Sequence, residues 1–221
     1  MATPIRVLLV DDDPLVRGGL RFLFDSAPDL TISAEAGNGE EALTAVRGHG
    51  IDVVLMDLRM PGVDGITATQ QIRGLPDPPH VIVLTTWDVD DAVLRALAAG
   101  ASGFLLKSAP PKDILQAVRA VTAGDAVLSP RSTRQLLDHL HRDEAAEHRR
   151  AARAAIGTLT DREREVCTAV GQGLSNSRIG AQLYIAEATV KAHLSAIQTK
   201  LGVRNRVEIA VLAERSGLLR P

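Results

Sequence analysis

Six polar residues in the first half of the chain share one local context, because each stands where a short apolar run stops. IRVLLV ends on Asp11, Asp12 and Asp13, DVVLM ends on Asp57, HVIVLT closes with Thr85, and GFLL ends on Lys107. Consecutive carboxylates at one strand end repel one another unless a cation or neighbouring donors compensate. Mg²⁺ is a hard cation that keeps several waters and needs only one or two carboxylates plus a phosphoryl oxygen. Asp12 and Asp57 suit direct ligation, with Asp11 acting through water and the backbone carbonyl of Arg59 completing the loop side. With its charge shared by a metal, Asp57 becomes a carboxylate nucleophile toward a phosphoryl group. Lys107 and the Thr85 hydroxyl then meet the transferred oxygens. Plainer roles exist for two members of the set. Asp13, followed by Pro14, fits a helix N-cap with proline at the first helical position, and Lys107 can serve as a salt-bridge partner of the acidic cluster.

The positioning elements follow from the hydrophobic pattern. Ile5 to Val10 and Asp52 to Met56 are β-branched and nearly all apolar, as expected of parallel strands covered on both faces. Leu30 to Ala36 alternates as a more exposed strand, and His80 to Thr85 and Gly103 to Leu106 complete five. Helices are expected between them: one after Asp13 burying Val16, Leu20 and Leu23, one from Gly39 to Arg47, one from about Ile66 to Arg73, and one from Asp90 to Ala99. A fifth, introduced by Pro110 and Pro111, carries Ile114, Leu115, Val118 and Val121 and closes at Gly124. Five strands alternating with five helices predict a doubly wound α/β fold with a five-stranded parallel sheet. In a flavodoxin-like strand order, strands one, three, four and five are neighbours, so Asp11, Asp12, Asp57, Thr85 and Lys107 converge on the carboxyl edge of the sheet, where ligands bind in such folds.

The 221 residues suffice for two ordinary domains. Residues 1–124 carry 10 Lys and Arg against 16 Asp and Glu, whereas the remainder carries 15 against 11, so an acidic half precedes a basic one. A single Cys excludes an internal disulfide framework and suits a reducing compartment. The absence of a leader-like start and of any apolar run of membrane-spanning length points to a soluble cytoplasmic protein with no membrane partner. Residues 125–158 form a partly helical linker in which Leu136, Leu137 and Leu140 make a short apolar stripe, while Asp143 to Ala155 is alanine-rich with little to bury. His139, His141 and His148 read as solvated helix-face residues rather than a metal site.

Leu159 to Ala213 reads as four short helices. Thr160 and Glu163 form a capping box, Ser175 or Asn176 caps the second helix, and the third, Ala188 to Leu201, has Val190, Leu194, Ile197 and Leu201 on one face. Two short helices joined by a tight turn, the second presenting small and polar residues outward, fit a helix-turn-helix; a small protein-binding bundle has the same spacing.

VDDD, MDLRMPGVDG, LTT and FLLK, in that order and at those separations, resemble the receiver domain of two-component response regulators from about Ile5 to Val121. LTDREREV, GLSNSRIGAQL and TVKAHLSAIQTKLGV, followed by NR, resemble the LuxR-type DNA-binding domain, and the pair resembles the NarL/FixJ class. The resemblance sets domains at 1–124, 125–158 for the linker, and 159–221. It implies a DNA-binding transcriptional regulator, not an enzyme, whose Asp57 accepts a phosphoryl group from a sensor histidine kinase with Mg²⁺ required. It further implies a switch in which Thr85 moves toward the phosphoryl group and Phe104 follows, releasing the recognition helix and promoting homodimerisation on double-stranded DNA. Lys191, Ala192 and Ser195 are then expected at base edges, Thr189, His193 and Lys200 nearer phosphates, and Asn176 in the same DNA-contacting set. Ser108 replaces the proline common after the lysine, and Ala186 the serine common before the recognition helix. Arg59 and Trp87, two residues beyond Asp57 and Thr85, are bulky enough to shield an acyl phosphate, which predicts slow autodephosphorylation. Two rivals stand beside this reading: a constitutive DNA-binding dimer with the receiver as scaffold, and an aspartate-nucleophile phosphatase.

Overall fold

The computed structural model describes residues 3–86, 90–129, 132, 133, 136 and 146–219. The chain divides into two compact units, Met1–Thr122 with Val127–Ser132, and Ala123–Ala126 with Thr133–Pro221. In the first, β1 (Ile5–Val10), β2 (Leu30–Ala36), β3 (Val53–Met56), β4 (His80–Thr85), β5 (Gly103–Leu106) and β6 (Val127–Leu128) form one sheet in the order β2-β1-β3-β4-β5-β6. All pairings are parallel. Five strands stand where the hydrophobic runs put them. The sixth is an addition: β6 extends the expected five-stranded sheet by pairing Val127 with Gly103 and Leu128 with Phe104. Two residues are too few to show a period, so no pattern announces it.

The apolar runs are nearly continuous because both sheet faces are covered. Alternation along β1 sends Val7 and Leu9 to one face, where they meet Phe24 of α1 (Pro14–Asp25) and Ile114, Val118 and Val121 of α5 (Pro111–Thr122). Leu8 and Val10 go to the other, against Ala42 of α2 (Gly39–Gly48) and Ala68 and Ile72 of α3 (Gly65–Arg73). Full burial of such aliphatic side chains contributes about 1.5–3 kcal/mol each. The helix between β4 and β5, α4, spans Asp90–Ala98. Asp13, Asn38 and Asp64 cap α1, α2 and α3 by accepting backbone N–H groups of Leu15, Glu41 and Ile66.

The second unit contains α6 (Ala146–Gly157), α7 (Asp161–Gly171), α8 (Asn176–Leu183), α9 (Glu187–Leu201) and α10 (Arg206–Ser216). Its core joins Val166, Cys167 and Val170 of α7 to Ile179 of α8, Val190, Leu194 and Ile197 of α9, and Ile209 and Ala213 of α10. Thr160 and Glu163 make the expected capping box, and Ser175 caps α8. The helix expected to have little to bury, α6, places Ala152 and Ile156 in the interior, and Arg153 Nε donates to the Ser216 carbonyl at 3.1 Å. Most of the Leu136–Leu140 stripe, with His139 and His141, lies outside the described residues, as does Trp87; His148 is exposed on α6. Among the described residues no helix is long and apolar enough to cross a membrane.

Candidate functional site

The sheet order brings the carboxyl ends of β1, β3, β4 and β5 side by side, and with them Asp11 and Asp12, Asp57, Thr85 and Lys107. Backbone hydrogen bonds continue past the strands: Asp57 N–H donates to the Val10 carbonyl at 2.8 Å, and Lys107 N–H to that of Thr85 at 2.8 Å. These ties fix the Cα positions from which the functional side chains project. Asp11, Asp57 and Thr85 are buried, whereas Asp12 is exposed at the rim. Carboxylate oxygens of Asp11, Asp12 and Asp57 all lie within 4.8 Å of one another.

Lys107 Nζ reaches across this cluster, 2.5 Å from Asp11 Oδ2 and 3.0 Å from Asp57 Oδ2. The other Asp57 oxygen, Oδ1, accepts the backbone N–H of Leu58 at 2.8 Å, so both carboxylate oxygens have a donor. Burial pushes the Asp57 carboxyl above its ordinary value; Lys107 opposes that rise and the neighbouring Asp11 charge reinforces it. Burial works against the Lys107 ammonium as well, but the two carboxylates outweigh it and hold its pKa above the usual lysine value. One ammonium thus partly neutralises a pocket of three carboxylates.

Other contacts build the walls. Arg17 Nη1 donates to the Asp11 carbonyl at 2.6 Å, and Asp11 Oδ1 accepts the backbone N–H of Asp13 at 3.0 Å. Gly65, at the start of α3, passes so near the end of β3 that a Cβ on it would sit 1.9 Å from the Asp57 carbonyl oxygen. Nothing in the sequence separates this close approach from an ordinary turn glycine. Phe104 is buried on β5 in register with Val83, and Arg59 stands in the loop beyond Asp57 with its side chain exposed.

In the second unit the apolar face of α9 is turned inward, which leaves Thr189, Lys191, Ala192 and Ser195 exposed and His193 half-buried. Two further expected contacts are held by the protein itself. Asn176 is buried at 1 % exposure; its Oδ1 accepts from Arg206 Nη1 at 2.7 Å and its Nδ2 donates to the Ala123 carbonyl at 2.8 Å, within the same unit. In this arrangement its side chain is not open to a nucleic acid, which corrects the DNA contact that the resemblance implies for it. Lys200 is exposed but pairs with Glu163 Oε2 at 2.7 Å, a partner 37 positions away that helix spacing does not reveal.

Residues 7–119 match the response regulator receiver domain family, and residues 157–213 match the bacterial regulatory proteins of the luxR family. The chain belongs to the two-component response regulators that join a receiver to a LuxR-type helix-turn-helix domain. It is 36% identical to the nitrate/nitrite response regulator protein NarL of Escherichia coli K12, across 94% of each chain. It is 38% identical to the transcriptional regulatory protein LiaR of Bacillus subtilis, across 97% of this chain and 99% of that one. Among solved structures it resembles the response regulator ChrA of a heme-sensing two-component system, with TM-score 0.53, 40% identity, and 98% and 100% coverage. A structure of RcsB dimers bound to DNA shares the fold, with TM-score 0.57 at 22% identity over 96% of this chain and 99% of that chain.

Proposed function

We propose that this regulator is switched by phosphorylation of Asp57, received from a sensor histidine kinase, and that the phosphorylated form dimerises and binds double-stranded DNA. The observation that carries the reading is the convergence of a buried nucleophilic carboxylate, two further carboxylates and a lysine ammonium on one sheet edge. The donor set is all oxygen and carries more negative charge than Lys107 balances, which fits a hard divalent cation. Asp11, Asp12 and Asp57, with the Arg59 backbone carbonyl, would hold Mg²⁺. When bound, that ion supplies charge neutralisation at the transferring phosphoryl group.

The chain's own residues do the rest. An Asp57 Oδ attacks phosphorus, the bond from phosphorus to the donor imidazole nitrogen breaks, and an acyl phosphate forms. Lys107 Nζ already stands within hydrogen-bonding distance of the nucleophile, so it shifts only slightly to meet a phosphoryl oxygen. The Thr85 hydroxyl, at the end of the adjacent strand, accounts for a second, and its movement gives buried Phe104 room to follow. In the output unit Lys191 is the strongest candidate to read a base edge, with Ala192 and Ser195 beside it and Thr189, His193 and Lys200 nearer phosphates. Ala192 and Ser195 cannot make bidentate contacts, so base discrimination is modest. Two recognition helices of a dimer would meet half-sites about one helical turn apart.

The test is phosphoryl acceptance. Incubated with a small phosphodonor and Mg²⁺, the wild-type chain should gain one phosphoryl group by intact mass, released by hydroxylamine as expected of an acyl phosphate. Asp57→Asn should gain none. Equal labelling of that variant would place the acceptor elsewhere.

A further inference from the structure

Tyr184 joins α8 to α9 in an unfavourable way. Its backbone is left-handed, φ 55° and ψ 44°, a conformation that bulky L-residues rarely adopt and that glycine or asparagine fills at lower cost. Its side chain gains nothing in return from the fold, being 94 % exposed. The turn that holds it is braced by hydrogen bonds on both sides. Arg162 Nη2 donates to the Leu183 carbonyl at 2.6 Å, and Ile185 N–H donates to the Gly180 carbonyl at 3.0 Å. The Ile185 carbonyl lies so close to α8 that a Cβ on Gly180 would meet it at 2.7 Å. A strained aromatic residue held in solvent on a braced turn suggests a role outside the monomer's own packing.

We propose that the Tyr184 hydroxyl donates a hydrogen bond to a DNA backbone phosphate at the wall of the major groove. Tyr184 precedes Ala188, in the first turn of α9, by four residues, and four extended residues span at most about 14 Å. The major groove is about 12 Å wide. A residue so close to the N-terminus of a helix seated in the groove falls beside the phosphates that line it, and tyrosine is among the side chains that bind them. This inference rests on the reading that α9 enters the groove. It assigns Tyr184 a positioning contact shared by all sequences, leaving base choice to α9.

The test uses the full chain, activated with Mg²⁺ and the phosphoryl mimic beryllofluoride, and a fluorescently labelled mixed-sequence duplex at low salt. Glycine suits the left-handed turn, so Y184G keeps the fold, which its thermal melt verifies. Both Y184G and Y184F should bind about tenfold more weakly than wild type, as expected for a lost hydrogen bond to a charged group. The salt slope should stay unchanged because no cation is removed. Tyr184 is also the only tyrosine in the chain; tetranitromethane should therefore nitrate one site, and saturating duplex should slow that reaction several-fold. Wild-type affinity in Y184F, or undiminished nitration in the saturated complex, would overturn the Tyr184 contact alone. A wild-type chain that fails to bind the duplex would overturn groove entry by α9, and this contact with it.

Discussion

At the residue scale, the site depends as much on what is absent as on what is present. Gly65 has no Cβ, and the structure allows none, since that atom would lie 1.9 Å from the Asp57 carbonyl oxygen. Gly65→Ala must push α3 away from the end of β3, an overpacking that costs about 1–3 kcal/mol. Phosphoryl acceptance by Asp57 should fall with it, measured as acyl-phosphate yield beside the thermal melt; a variant with wild-type melting and yield would show that the loop yields freely. Ala186 is the opposite case, a group missing where one belongs. It occupies the N-cap of α9 in extended geometry, φ −64° and ψ 148°, with no side-chain hydrogen bond to the helix. Ala186→Ser should supply the acceptor and raise the stability of the second unit by about 1 kcal/mol, read as a higher melting temperature. A lower one would refute the cap. The missing cap was legible through the family resemblance, in which a serine commonly precedes this helix. The partners of Asn176 and Lys200 were not, because Arg206 and Glu163 approach them only through the tertiary fold.

At the element scale, the strand ends were legible for a physical reason. Helices cover both faces of the sheet, so each strand reads as an apolar run, and the first polar residue after it marks the carboxyl edge. That logic located β1 and β3 to β5, and with them Asp11, Asp57, Thr85 and Lys107. It failed for β6, whose two residues borrow their geometry from β5, and for α6, where small Ala152 is buried without an apolar stripe to signal it. The start of α7 shows how far elements depend on one another. Glu163 closes the capping box through Thr160 and also holds Lys200 from α9. Lys200, then the Thr160 backbone, lowers the Glu163 carboxyl from 4.5 to about 2. The unfolded chain therefore binds this proton more readily than the folded one, and the sign follows: the contribution is complete above 4.5 and disappears as pH falls toward about 2. Lys200→Met removes the largest cause, so its melting-temperature deficit against wild type should shrink across that window. A deficit independent of pH would mean that Lys200 stabilises α9 through packing of its stem alone.

At the scale of the whole molecule, the two units divide the work by charge and chemistry. The acidic half gathers carboxylates around one lysine, and the more basic half exposes Lys191 with its small neighbours on α9. Each unit has its own hydrophobic core. Their joining in one chain makes sense if occupancy of Asp57 alters what the second unit does. The most direct measurement is sedimentation velocity of the full chain with and without Mg²⁺ and beryllofluoride, a phosphoryl mimic, with Asp57→Asn as control and Trp87 fluorescence reporting occupancy in the same samples. A monomer should become a dimer only when Asp57 is intact and the mimic is bound. Confirmed occupancy with no change in mass would contradict assembly as the output of the switch.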